Sequence, residues 1–143
     1  MKIKKLFFSV VVSVAIGGCT VLDTAIGGDS LSTYIGISSN PNIVEANPVL
    51  KALSGNDAVS VAVVSAALSY GAVYGVRYYA PGQCKPFYHA LSAIKLGAAV
   101  NNLAVLAGAT ANVPLVAALA VGTLGYQLDV TRRGADKFCS HAR

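Results

Sequence analysis

The sequence predicts an all-α protein: a small bundle of about three apolar membrane helices, preceded by short N-terminal helices. Composition is the first reason. Apolar residues make up 55% of the 143 residues and charged residues only 12%, roughly half the ~25% of an average soluble domain. Soluble helices need a polar outer face, and too few charges remain to supply one. The second reason is local. The nineteen residues from Ala58 to Val76 carry no charge, and at ~1.5 Å per residue they reach about 28 Å, close to a hydrocarbon core of ~30 Å. A mean hydropathy of +0.60 agrees.

The N-terminus comes first. Lys2, Lys4 and Lys5 precede an apolar run from Leu6 to Ala15, and Ile16-Gly17-Gly18 leads into Cys19. A basic start, a short apolar stretch and small residues before a cleavage point make an export signal over residues 1–18. Ile-Gly-Gly-Cys resembles the lipobox of bacterial lipoproteins. That resemblance implies a lipid-bearing Cys19 on the periplasmic or outer face of the cell membrane. Left unprocessed, Leu6 to Ile26 would be a first spanning helix with the same orientation.

Residues 19–56 form a polar, turn-rich juxtamembrane segment. A short helix is expected from Asp29 to Ile37, capped by Asp29 or Ser30. A second turn of helix is expected from Asn47-Pro48, where Asn caps and Pro takes the first helical position, stopping near Gly55.

Residues 57–128 form the helical membrane domain. The uncharged run ends at Arg77-Tyr78-Tyr79, and Pro81-Gly82 breaks it. A second apolar stretch runs from about Tyr88 to Ala111, interrupted by Lys95 and Asn101-Asn102. After a turn at Gly108 to Asn112, a third runs from Val113 to about Leu128, with Pro114 in its first turn. Residues 129–143 read as a basic polar tail.

Three such crossings put the segment after Cys19 on one side and the 80–87 loop and tail on the other. The second side holds Lys85, Arg132, Arg133, Lys137 and Arg143, and the first only Lys51. The positive-inside rule therefore expects the loop and C-terminus in the cytoplasm. Of eleven Lys/Arg, three lie before Cys19, leaving eight against six acids. No basic cluster with interleaved aromatics is present, which argues against nucleic acid as a partner.

Five sets of residues carry candidate chemistry. Gly71 and Gly75 make a Gly-xxx-Gly strip that suits close helix packing, either within the chain or against a second copy or another membrane protein. Tyr70, Tyr74 and Tyr78 share a helix face near a membrane border. Lys95, Asn101 and Asn102 are polar residues in an apolar segment. Snorkelling and interhelical hydrogen bonds explain them, and a path for a small solute or ion is the sharper alternative. Cys84, His89, Cys139 and His141 share the second side but match no common zinc spacing. Free cytosolic thiols are expected there; a Cys84–Cys139 disulfide follows if that side is periplasmic.

Lastly, Asp29-Ser30-Leu31-Ser32-Thr33 followed by Glu45-Ala46-Asn47-Pro48 resembles a pattern in a family of small multi-spanning membrane proteins with no assigned activity. The resemblance covers 22 residues, Asp29 to Leu50. Ser32 stands where the pattern has Thr. It implies that Asp29, Thr33, Glu45 and Asn47 act together as a polar junction between helices.

No catalytic constellation, phosphate loop or cofactor motif is legible. The expected function is a membrane-embedded envelope lipoprotein with a structural or interaction role, the lipid bilayer being its first partner. One alternative is a small transporter, channel or lysis-type protein. Another is a soluble periplasmic helical domain held by lipid alone.

Overall fold

The computed structural model describes residues 20–40, 42–45, 47–108 and 129–140. Cys19, the export signal, the 113–128 stretch and His141 lie outside the described residues. Within them all regular structure is helical: α1 (Val21–Ser39), α2 (Pro48–Ser54), α3 (Ala58–Tyr79), a 3-10 turn (Pro81–Gln83), α4 (Cys84–Leu106) and α5 (Asp129–Cys139).

Helix α1 begins eight residues earlier than the short helix expected from Asp29. Its start is set by a reciprocal cap at Thr20. The Thr20 hydroxyl accepts from the Asp23 backbone N–H at 3.2 Å and donates to the Asp23 carboxylate at 2.6 Å. Asp29 and Ser30, both cap-type residues, are instead buried in the helix interior. The helix ends at Asn40, just before Pro41, where a residue preceding proline is steered away from helical backbone.

Helix α2 follows its sequence signals. The Asn47 side chain accepts from the N–H groups of Val49 and Leu50 at 3.0 and 3.4 Å, Pro48 opens the helix, and Gly55 closes it at φ +66°.

Helix α3 is capped by Asp57, whose carboxylate takes the Ser60 N–H at 2.8 Å, and it stops before Pro81. Its buried face is Val61, Ser65, Ser69 and Val73, one residue per turn, joined by Ala62. In α4 the corresponding residues are Cys84, Tyr88, Ser92 and Ala99. Both α3 and the stretch Pro81–Leu106 are long and apolar enough to cross a membrane.

Helices α1, α3 and α4 form the core, with α1 and α4 running the same way and α3 opposed. Leu22 meets Tyr88, Asp29 meets Lys95, and Thr33 meets Asn102. On the other side Tyr70 meets Asp23 and Ser65 meets Asp29. One end of the bundle is apolar: Leu22, Ile26, Val73, Tyr88 and Ala135 make a buried cluster backed by Phe87, Leu91 and Phe138.

The expected polar tail is a docked helix. Ala135, Phe138 and Cys139 fall at i, i+3 and i+4 and turn inward, while Arg133, Asp136 and Lys137 are exposed. Phe138 packs on Tyr88 and Tyr74 at centroid distances of 5.7 and 5.2 Å, and the Arg77 guanidinium lies 4.7 Å over its ring. Cys139 is joined to Cys84 in a disulfide. This corrects the expectation of free thiols: docking α5 beside the start of α4 brings the two sulfurs together.

Candidate functional site: a charged pair beneath a polar cavity

Above the apolar cluster the helix faces turn polar. Lys95 Nζ donates to Asp29 Oδ2 at 2.7 Å and to Ser65 Oγ at 2.9 Å. The side chains of the pair are 13% and 8% exposed. The Ser65 hydroxyl leans on the same carboxylate oxygen at 3.5 Å. The second carboxylate oxygen receives Asn102 Nδ2 at 3.4 Å, and that amide also reaches Ser32 Oγ at 3.1 Å and Thr33 Oγ1 at 2.9 Å. Three helices thus contribute to one buried network. Two opposite charges neutralise one another there, and each oxygen of Asp29 has a donor, the condition for keeping a carboxylate out of water.

The network forms the floor of a cavity of about 400 Å³. Its lining contains all four residues of the expected polar junction, Asp29, Thr33, Glu45 and Asn47, together with all three expected intramembrane polar residues, Lys95, Asn101 and Asn102. Two sets read separately in the sequence are therefore one site. Residues 43–45 of the α1–α2 connection fold back over the end of α1, where Gly36 leaves room for Ile43. Glu45 Oε1 accepts the Asn47 N–H at 2.7 Å, which fixes that turn.

Two expectations change in detail. Lys95 does not snorkel: it turns inward to Asp29. Asn102 does bond between helices, as expected, and Asn101 lines the cavity without a hydrogen bond among the described residues. Ser65 was missed. Its signal was a polar residue on the same face as Val61, Ser69 and Val73 of an apolar helix.

Other expected residues lie elsewhere. A Cβ placed on Gly71 or Gly75 meets nothing within 4 Å, so this strip is not the seam by which α3 packs on α1 and α4. Of the three tyrosines expected at a membrane border, Tyr70 turns into the molecule, whereas Tyr74 keeps half of its surface exposed. Tyr70 donates to Asp23 at 2.9 Å and Tyr74 meets Phe138. Tyr74 and Tyr78 are both exposed, Tyr78 the more so. No group of three or more metal-ligating side chains occurs among the described residues.

Among the described residues the charged pair gives way, one turn below, to the buried hydroxyls of Ser69 and Ser92. Below Asp29 and Lys95 stand Ile26, Leu22, Val73 and Tyr88, all buried and packed together. The arrangement is a pocket with a floor. Comparison with protein-family models, curated proteins and solved structures finds no match to this chain.

Proposed function

We propose that this chain is a lipid-anchored, membrane-embedded helical protein of the bacterial cell envelope, with a binding or structural role and no catalytic one. The observation that carries this reading is a shared end. Thr20, the residue after Cys19, caps α1 at the end where Tyr88 and Phe138 pack and Cys84 joins Cys139. A lipid on Cys19 and an oxidised cysteine pair then fall on the same side, and both belong outside the cytoplasm. On this reading the 80–87 loop and α5 are extracytoplasmic, opposite to the orientation expected from charge. The positive residues there are partly engaged: Lys85 pairs with Asp136, and Arg77 with Phe138.

Ser65 is committed within the network: its oxygen accepts from Lys95 and its hydroxyl donates to Asp29. A closed floor favours binding over a conducting path.

Orientation and attachment are tested together. In intact cells an impermeant maleimide should label Cys84 and Cys139 only after reduction, with no need to permeabilise the membrane. Labelling that requires permeabilisation, or free thiols on a non-reducing gel, overturns the reading. A Cys19→Ala protein should stay in the membrane through alkaline carbonate washing; release would favour the lipid-tethered soluble domain.

A further inference from the structure

We infer that the cavity is a binding site for a small primary amine carrying a short apolar body. The cavity keeps its chemistry in either membrane orientation, and several polar groups in its lining are already spent. Asp29 and Lys95 satisfy each other's charge. Among the described residues Glu45 is then the remaining charge in the lining. One of its carboxylate oxygens holds the Asn47 turn; the other has no hydrogen-bond partner among the described residues. Asn102 commits its NH₂ group to three oxygens, which leaves its carbonyl oxygen as an acceptor. Asn101 is uncommitted at both atoms.

The open groups are therefore weighted toward acceptors around one net negative charge. That combination suits a donor cation, and a primary ammonium offers three hydrogens to share among a carboxylate and two amide carbonyls. An anion fits badly, because Lys95, the one cation among the described lining residues, is already paired. The rest of the wall is apolar, with Ile37, Ile43, Leu50, Ile94, Val105 and Leu106, and it suits an alkyl or aryl body rather than a bare ion. At about 400 Å³ the cavity lies near the lower end of the ~300–1,000 Å³ typical of small-molecule sites.

The test uses full-length protein in phosphatidylcholine nanodiscs, with empty nanodiscs as the blank for partitioning. Calorimetric titration compares butylammonium, butyrate and butanol. Butylammonium alone should bind saturably. Glu45→Gln should weaken it roughly tenfold or more, the scale of a charged hydrogen bond, and Asn101→Leu by a smaller factor. Asp136→Asn, which removes a carboxylate at the far end of the molecule, should leave the affinity unchanged. An intact Cys84–Cys139 bond and unchanged circular dichroism report that each variant is folded. Equal binding of all three probes overturns the proposal. So does undiminished binding by Glu45→Gln, an equal loss in Asp136→Asn, or no saturable binding at all.

Discussion

Asp29 belongs to a residue type that normally starts helices, and here it sits in the middle of one. What keeps it there is Lys95, 66 positions along the chain, on a face that sequence periodicity alone assigns to neither partner. Removing one member of a buried pair leaves the other uncompensated, at a cost of about 3–5 kcal/mol. Lys95→Leu should therefore unfold at markedly lower denaturant concentration. The double variant Asp29→Leu/Lys95→Leu should recover most of that loss, because two apolar side chains replace two desolvated charges. Chemical denaturation followed by circular dichroism separates the two outcomes. A second residue-scale constraint is Gly134. A Cβ there would stand 2.7 Å from Tyr88 Oη, the same oxygen that takes the Leu22 N–H at 3.4 Å. Gly134→Ala should push Tyr88 aside and destabilise the fold by about 1–3 kcal/mol, read as a lower thermal midpoint.

At the scale of elements, legibility depended on whether the signal was local. Helix α2 was readable because Asn47, Pro48 and Gly55 each act within a few residues of themselves. The ends of α3 were readable for the same reason, at Asp57 and Pro81. Helix α1 was not, since Asp29 and Ser30 advertise a start that burial overrides, while Thr20 and Asp23 supply the actual cap. Helix α5 was hidden by its average composition. Ala135, Phe138 and Cys139 form a narrow apolar stripe in an otherwise charged segment. Its attachment yields a prediction. The disulfide spans 55 residues, and a native cross-link of this kind typically contributes about 2–4 kcal/mol. Reduction, or Cys84→Ser with Cys139→Ser, should lower stability by that order. It should also speed tryptic cleavage after Arg133 and Lys137 while the α1–α3–α4 core stays resistant.

For the molecule as a whole, the division into a dry end and a polar end is the main structural fact. The residues of the polar end were nearly all visible in the sequence, Asp29, Thr33, Glu45 and Asn47 as one group and Lys95, Asn101 and Asn102 as another. Their union was not, because it depends on α1 and α4 running in the same direction, and a single sequence carries no direct record of that. The same parallel course bears on the topology expected from charge. That topology put everything from Cys19 to residue 56 on one side, whereas α1 runs along the bundle between those points. If Thr20 and the disulfide do share the outer side, the cavity lies at the opposite end, and its amine would be drawn from the inner side of the bilayer.

The cysteine pair also imposes a parity rule. A stretch of chain whose two ends are covalently tied on one side of a bilayer must traverse it an even number of times, zero included. Whatever count of crossings is assigned between Cys84 and Cys139, one and three are forbidden, so α4 cannot be a lone passage within that stretch.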